Sequence, residues 1–288
     1  MRANVLQVGT VEVVALTDAA GSTFDLQRTF PSSDPRRWET FRRHVPEVFA
    51  TPATWWVRWG CYLVRTRDRL VLVDTGIGPG PSPAFHGLQG QLIDQLRAEG
   101  VDTGAVDTVV FTHFHIDHVG WAVDGHARPT FPNARYVTHR LEWEFFQAPE
   151  TKAVSDYIDR CVTPLESAGV LDLVPGETAL TPEITVLHTP GHTPGHMSVL
   201  VRSDGQEACI LGDVVLHPAQ VTEPTWNIVA ETDHARAVAT RRAMLDRLER
   251  DQTILVTGHL PSPGFGRIVR DNGERYWQAV AGGEVHPF

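Results

Sequence analysis

Residues 112–121 read THFHIDHVGW, a stretch that places three histidines and an aspartate within six positions. It continues the short apolar run DTVVFT, which is typical of a buried strand. In an extended segment alternate side chains share a face, so His113, His115 and Asp117 would point to one side and the adjacent His118 elsewhere. The segment could therefore serve two metal ions, with His113 and His115 holding one and Asp117 and His118 the other. Imidazole and carboxylate are the groups that zinc accepts where no thiolate is available. The segment therefore predicts one wall of a two-metal site.

Further metal-binding side chains occur where other predicted strands end. The stretch LHTPGHTPGHMS contains His188, His192 and His196, the stretch CILGDVV contains Asp213, and the stretch ILVTGHLP contains His259. Loops at strand ends converge on one crevice in layered α/β folds. These side chains are therefore expected to lie close to the histidine cluster.

The composition is that of a soluble globular protein, with 42% apolar and 21% charged residues. The formal net charge of -10 argues against a nucleic-acid partner. Cys61, Cys161 and Cys209 are widely spaced and form no CxxC pair, which argues against a disulfide framework and against a cysteine-based zinc site. The sequence shows neither a signal peptide nor a membrane-spanning run, so we expect a cytoplasmic protein that does not bind membranes.

Strands and helices are expected in mixed order within one domain over residues 1–288. Strands are predicted by the runs NVLQVGTVEVVAL, CYLVRTRDRLVLVDTG, ARYVTH, ITVLHT, MSVLVRS, EACILGD and TILVTGH. Helices are predicted by LQGQLIDQLRAEGV, RLEWEFFQA and DHARAVATRRAMLDRLERD. The apolar residues of segment 18–57 follow neither a helical nor a strand periodicity, and we expect an irregular excursion with a short helix there. This order favours a mixed α/β fold with helices outside the sheets.

The joint pattern resembles the metallo-β-lactamase superfamily over roughly residues 58–270. The matching segments are LVDTG with Asp74, THFHIDH, TPGH at 189–192, LGD at 211–213 and TGH at 257–259. The resemblance implies an αββα sandwich, in which two packed β-sheets are flanked by helices and two metal ions lie at one edge.

Carried over residue by residue, the resemblance implies seven metal ligands. They are His113, His115 and His192 for the first ion, Asp117, His118 and His259 for the second, and Asp213 between them. Asp117 and Asp213 are also the expected catalytic carboxylates. In that superfamily the first histidine of the doubled PGHTPGH is the ligand, which implies His192 here and leaves His196 beside the site. Asp74 would orient the ligand loops through hydrogen bonds. Zinc is the preferred metal, with manganese and iron left open.

The expected reaction is metal-assisted hydrolysis. Two zinc ions bridged by a carboxylate can share a water whose pKa falls to about 7, so a metal-bridging hydroxide could attack a carbonyl or phosphoryl centre. The loops LGDVVLHPAQ and GHLPSPGFGRI look most like the branch that contains N-acyl-homoserine lactonases and methyl parathion hydrolase. Lactonases of that kind often carry a tyrosine three residues after the bridging aspartate, where this chain has Leu216. This departure makes an esterase or phosphotriesterase of broad specificity a more favoured alternative to a lactonase.

The expected substrate is a neutral, moderately apolar lactone, aryl ester or phosphotriester. The net negative charge and the presence of a single lysine, Lys152, argue against a polyanionic substrate or one with an exposed carboxylate. Eight candidates for the substrate pocket follow from aromatic character or from proximity to Asp213: Phe49, Trp55, Trp56, Trp59, Trp121, Trp226, Leu216 and His217. A β-lactam- or thioester-hydrolysing enzyme and a non-catalytic metal-binding sensing or partner module remain as alternatives, and a homodimer is left open.

Overall fold

The computed structural model describes residues 2–280, apart from the side chains of residues 22 and 23. Two β-sheets pack face to face, and helices cover their outer faces. This arrangement confirms the αββα sandwich expected from the sequence. None of the helices between residues 2 and 280 has the length and hydropathy of a membrane span.

The first sheet has eight strands in the order β1-β2-β4-β5-β6-β7-β8, with β3 paired to β4. The strands are β1 (Val5–Val8), β2 (Val11–Asp25), β3 (Phe49–Thr51), β4 (Thr54–Arg65), β5 (Leu70–Val73), β6 (Thr108–Val110), β7 (Arg135–His139) and β8 (Leu171–Val174). Strands β5 to β8 are parallel, whereas β1 to β5 pair antiparallel.

The second sheet has seven strands in the order β15-β14-β13-β12-β11-β10-β9. The strands are β9 (Thr178–Ala179), β10 (Ile184–His188), β11 (Met197–Ser203), β12 (Gln206–Ile210), β13 (Ile254–Val256), β14 (Phe265–Asp271) and β15 (Glu274–Ala279). Only the pair β12 and β13 is parallel within this part of the described chain.

Ten α-helices, most of them short, connect the described strands. They are α1 (Leu26–Thr29), α2 (Trp38–His44), α3 (Leu92–Ala98), α4 (Ile116–Val119), α5 (Arg140–Gln147), α6 (Pro149–Lys152), α7 (Tyr157–Cys161), α8 (Thr163–Ser167), α9 (Ala219–Thr222) and α10 (His234–Asp251). Single 3-10 turns occur at Pro46–Val48, Pro83–Phe85, Thr103–Ala105 and Gly212–Val214.

Three apolar layers hold the sandwich together. The inner layer lies between the sheets and is rich in valine, with Val64 and Val199 among its buried members. On the outer faces, α10 packs Leu245 against the second sheet, and α5 packs Phe146 against the first. Burial of each such side chain contributes about 1.5–3 kcal/mol. Since the central strands are covered on both sides, they read in the sequence as continuous apolar runs.

The expected irregular excursion with a short helix over residues 18–57 agrees with the middle of the segment, where the short helices α1 and α2 lie, but is wrong at its two ends. Strand β2 continues to Asp25 and β4 begins at Thr54, so only the middle of this segment leaves the sheet. Register shifts near Thr17 and Phe24 interrupt the pairing of β2 with β4, and such bulges break the alternation that marks a strand in a sequence.

The predicted helix LQGQLIDQLRAEGV begins four residues later than its apolar spacing suggested. Its first turn starts at Leu92, whose backbone N–H donates to Asp18 Oδ1 at 2.8 Å. The preceding Leu88 instead pairs with Ser82 in an isolated β-bridge. An aspartate distant in sequence therefore fixes the start of this helix.

Parallel strands in both sheets end next to the candidate ligands. In the first sheet, β5 leads into Asp74 and β6 into His113. In the second sheet, β12 leads into Asp213 and β13 into His259. The carboxyl ends of parallel strands lie at one edge of a sheet, and this places all four residues in one region.

Candidate metal centre

Three imidazole nitrogens converge on one point. His113 Nε2 lies 3.1 Å from His115 Nδ1, which lies 2.9 Å from His192 Nε2. Asp213 Oδ2 lies 3.1 Å from His192 Nε2 and 3.6 Å from His113 Nε2. Ligands about 2.0–2.1 Å from a tetrahedral zinc ion lie about 3.3 Å from one another. These four residues therefore have the spacing of a single metal site.

A second group of ligand atoms adjoins the first. Asp117 Oδ2 lies 3.6 Å from the Nε2 atoms of both His118 and His259. Asp213 Oδ1 lies 3.5 Å from His118 Nε2 and 3.2 Å from His259 Nε2. The two oxygens of Asp213 thus face different groups, which is the arrangement of a bridging carboxylate. The structure brings all seven predicted ligands together in these two groups.

Several of these buried atoms have no hydrogen-bond partner among the described residues. They include the Nε2 atoms of His118 and His259 and Oδ1 of Asp213. Leaving a buried polar atom unsatisfied costs about 1–3 kcal/mol. A cation in the second group would satisfy all three atoms at once. With the ligand spacing of the first group, the residues present therefore fit two divalent ions with nitrogen and oxygen ligands.

The electrostatics of the site favour a cation. Burial lowers the pKa of His115 to about 3, and the neutral imidazole is the form that binds metals. Burial also raises the pKa of Asp213, but the surrounding histidines outweigh this effect and hold that pKa well below its usual range. Burial lowers the pKa of His118, but nearby carboxylates, first Asp213 and then Asp117, raise it well above normal. These carboxylates create the negative potential that attracts a metal ion.

Asp74 orients two of the ligand histidines. His118 Nδ1–H donates to Asp74 Oδ2 at 2.8 Å. The carboxylate also accepts from Thr112 N at 2.7 Å and Thr112 Oγ1 at 2.8 Å, and that hydroxyl lies 3.1 Å from His113 Nδ1. These contacts leave the Nε2 atoms of both histidines for metal. The backbone of Asp74 has a φ of 61°, a left-handed conformation that aspartate tolerates better than most residues.

The loop around His259 is organised by Arg58. His259 Nδ1–H donates to the Arg58 carbonyl at 2.9 Å. The buried guanidinium donates to the carbonyls of Leu260 and Thr257, both at 3.1 Å, and of Pro263 at 3.2 Å. Sequence reasoning missed this residue, although an arginine inside the apolar strand TWWVRWGCYLV is a signal that could have marked it.

A cavity of about 260 Å³ opens onto the ligand atoms. Its floor contains His115, Asp117, His192, Asp213 and His259. Its walls are mainly apolar and include Phe24, Trp55, Trp59, Phe85, Leu216 and Ile228. No lysine or arginine belongs to this lining in the described part of the chain. The site therefore combines a cation-binding floor with a neutral, apolar body.

Comparison with known proteins agrees with this geometry. Residues 61–259 match the family profile described as the Metallo-beta-lactamase superfamily, which is more than half of the chain. The chain belongs to the metallo-beta-lactamase superfamily. The resemblance read from the sequence is therefore confirmed.

Relatives of this superfamily member include N-acyl homoserine lactonases. One from Bacillus sp is 26% identical over 219 residues, covering 69% of this chain and 80% of the relative. AttM of Rhizobium radiobacter is 29% identical over 188 residues, covering 59% of this chain and 64% of the relative. These relatives confirm the prediction of a metal-dependent hydrolase.

Solved structures share the fold over nearly the whole chain. The dizinc quorum-quenching lactonase AidC, in complex with a product, superposes with a TM-score of 0.81 at 23% identity, covering 96% of this chain and 97% of the other. The hydrolase AbOPH of the beta lactamase superfamily has a TM-score of 0.82 at 25% identity, with coverage of 97% and 98%. This agreement confirms the fold.

Five of the eight candidate pocket residues lie outside the cavity lining of this superfamily member, contrary to expectation. Trp55, Trp59 and Leu216 belong to the lining. Trp56 neighbours Trp55 on β4 and points to the opposite face of the sheet, because successive side chains alternate.

The other four misplaced candidates are used in packing. Trp121 Nε1–H donates to Asp18 at 2.9 Å. Phe49, His217 and Trp226 all pack around the buried Trp38 behind the cavity wall. Of the aromatic candidates, some therefore line the cavity and others pack behind its wall.

Sequence reasoning also missed several wall residues. Phe24 stands opposite Trp55 in the pairing of β2 with β4, so recognition of β2 as a strand would have indicated it. Tyr157 begins the short helix α7 and is the phenol of the lining, where burial raises its pKa. No pattern in the sequence connects α7 with the ligand loops.

The two histidines of the doubled PGHTPGH segment have different surroundings. His196 Nε2 accepts the backbone N–H of Asp213 at 2.9 Å, and its Nδ1 lies 2.9 Å from Thr189 Oγ1. Both ring nitrogens of His196 are thus engaged, whereas His192 Nε2 faces the first ligand group. The geometry favours His192 as the ligand and leaves His196 to position Asp213.

We expect His192→Ala to remove a metal ion and His196→Ala to weaken binding only partly. Loss of a direct ligand removes a metal–nitrogen bond, whereas loss of an outer partner typically costs about 10–100-fold in metal affinity or activity. The measurement is bound zinc per chain after dialysis against a weak chelator. A His196→Ala protein that loses more zinc than His192→Ala would reverse the assignment.

Proposed function

We propose that this chain is a dinuclear metallo-hydrolase, with zinc as the preferred ion, that acts on neutral lactones, aryl esters or phosphotriesters. The observation that carries this proposal is the convergence of seven candidate ligands at the floor of an apolar cavity, with five of them in its lining and no cationic side chain among the described lining residues. The similarity to N-acyl homoserine lactonases supports the lactone among these substrates.

The seven candidate ligands would have different roles in the reaction. His113, His115 and His192 would hold one ion, Asp117, His118 and His259 the other, and Asp213 both. When bound, the two ions would supply Lewis acidity and make a water molecule acidic enough to lose its proton, and so become a nucleophile, near neutral pH. Asp117 directs Oδ2 at the neighbouring histidines and its side chain is 17% exposed, which leaves Oδ1 to accept a proton from the cavity side. Asp213 keeps the two ligand groups within reach of one substrate.

The cavity walls would select the body of the substrate. Trp59 and Phe85 pack their rings 5.0 Å apart and, with Ile228, offer a rigid apolar surface for an acyl or aryl group. Leu216 adds no polar atom, and Tyr157 supplies the phenol that we assign to the polar end of the substrate.

A carboxylate on the part of the substrate away from the metal centre would find no cationic side chain among the described lining residues of this cavity. The single lysine, Lys152, lies outside the lining and pairs with Asp159 at 2.7 Å. An unpaired charge moved from water into a buried site costs several kcal/mol. This argues against the β-lactam and glutathione-thioester alternatives, whose substrates carry carboxylates.

A matched pair of esters tests this proposal. Phenyl hexanoate and the phenyl monoester of adipic acid differ only in whether the chain ends in a methyl group or a carboxylate. We expect kcat/KM for the neutral ester to be higher by about 100-fold, because each 1.4 kcal/mol of lost binding is tenfold. The measurement is steady-state hydrolysis by the zinc-loaded protein, beside N-hexanoyl homoserine lactone and a phosphotriester.

The Asp213→Asn protein, purified in the same way, controls for a contaminating esterase. The proposal fails if the zinc-loaded chain hydrolyses none of the neutral compounds. It also fails if a carbapenem is hydrolysed faster than every lactone and ester in the series.

A further inference from the structure

Glu142 on helix α5 is a fully buried carboxylate, with 0% of the residue exposed. It is outside both groups of candidate ligands. Its Oε1 accepts the backbone N–H of Phe114 at 2.8 Å. Its Oε2 accepts the Thr193 hydroxyl at 2.6 Å and the Gly195 N–H at 3.0 Å. All three hydrogen bonds of this carboxylate therefore run to two loops.

These two loops carry the three histidines of the first group. Phe114 lies between His113 and His115, after strand β6 of the first sheet. Thr193 directly follows His192, after strand β10 of the second sheet. One carboxylate thus ties together loops that belong to different sheets of the sandwich.

The loop also packs closely against the helix that carries Glu142. A Cβ atom on Gly195 would lie 2.1 Å from the backbone nitrogen of Glu142, a distance that no side chain permits. Glycine is therefore required at this close approach, and the hydrogen bonds to Glu142 have short, fixed geometry. The second group lacks this support, because its outer contacts are Asp74 for His118 and the Arg58 carbonyl for His259.

We propose that Glu142 is a positioning residue that sets the spacing of His113, His115 and His192, so that affinity for one of two metal ions depends on it selectively. A carboxylate is suited to this role because it only accepts hydrogen bonds and here meets three donors. Glutamine has the same shape but would turn an NH₂ group toward one of these donors. The inference rests on the metal centre of the proposed function and is independent of the substrate.

The experiment measures zinc affinity by competition with a chromophoric chelator, comparing Glu142→Gln with Glu144→Gln. Glu144 is exposed on the same helix, so the second substitution is a matched control. Burial raises the pKa of Glu142 to about 7, and a buffer at pH 8 keeps the carboxylate ionised. We expect Glu142→Gln to weaken one of the two zinc equivalents by about 10–100-fold and the control to bind as the unaltered protein does.

Combined variants identify which group is affected. In a His192→Ala background the first group already lacks a ligand, so Glu142→Gln should add little further loss. In a His259→Ala background the first group holds the remaining zinc ion. There Glu142→Gln should lower the affinity for that ion by the full factor of about 10–100-fold, as in the single variant. Such non-additivity is the sign of two residues that act on one site.

Circular dichroism and the thermal midpoint of the metal-free proteins separate positioning from folding. The proposal holds if Glu142→Gln is folded and loses affinity for one equivalent alone. Unchanged affinity for both ions overturns it, and so does an equal weakening of both. A protein that binds both zinc ions but hydrolyses no ester would refute the proposed function without affecting this result.

Discussion

Asp213→Asn should release at least one of the two metal ions and lower turnover by more than about 100-fold. Asp213 Oδ2 faces His192 and Oδ1 faces His259, so a single carboxylate serves both groups. Asparagine keeps the shape but removes the charge and replaces one oxygen with a nitrogen that does not bind metal. Loss of a residue that only hydrogen-bonds to a ligand typically lowers metal affinity or activity by about 10–100-fold. Loss of a ligand shared by both ions should lower them further. Bound zinc and kcat are measured on the same preparation.

Asp68→Asn is the matched control, because Asp68 is exposed on the turn between β4 and β5. It should leave both the zinc content and kcat unchanged. If Asp213→Asn retains two zinc equivalents and full turnover, Asp213 is not the bridge and the assignment of the two groups is incorrect.

Removal of metal by a strong chelator should abolish turnover and lower the thermal midpoint on the order of 10 °C. An ion that binds only the folded chain stabilises it by about 4 kcal/mol at a thousand times its Kd, and each 1 kcal/mol shifts the midpoint by about 2–4 °C in a chain of this size. The buried atoms of His118, Asp213 and His259 that lack a hydrogen-bond partner are one source of this difference between the two forms. Calorimetry and steady-state kinetics provide the two measurements.

Zinc returned in excess should restore both properties, whereas magnesium should restore neither, because magnesium prefers oxygen ligands and this site is rich in imidazole. A chelated protein that keeps its midpoint and its turnover would contradict the metal centre itself.

Much of the fold was predictable because its central strands are covered on both faces. Runs such as ITVLHT and TILVTGH have apolar residues at their centres, and they contain strands β10 and β13. The placement of the ligands was predictable for the same reason, since each follows the end of a short buried strand. His113 and Asp213 illustrate this in the two sheets.

The remaining parts depend on contacts between distant segments. Strand β2 was missed beyond Thr17 because bulges interrupt its alternation. Trp56 was misassigned because the sequence does not show which face of β4 meets the cavity. Glu142 sits in an ordinary amphipathic helix, and its three hydrogen-bond donors come from loops 28 to 53 residues away in the chain. The residues next to Glu142 in the sequence give no indication of these hydrogen bonds.

The cavity walls and the ligand loops come largely from different parts of the chain. Phe24 belongs to the end of β2, Phe85 to a 3-10 turn, Tyr157 to α7 and Ile228 to the segment before α10, and none of these elements carries a ligand. Substitutions in these four segments can reshape the cavity while the seven ligands keep their backbone supports. Substrate range and hydrolytic chemistry can therefore evolve, or be engineered, as separate properties of this scaffold.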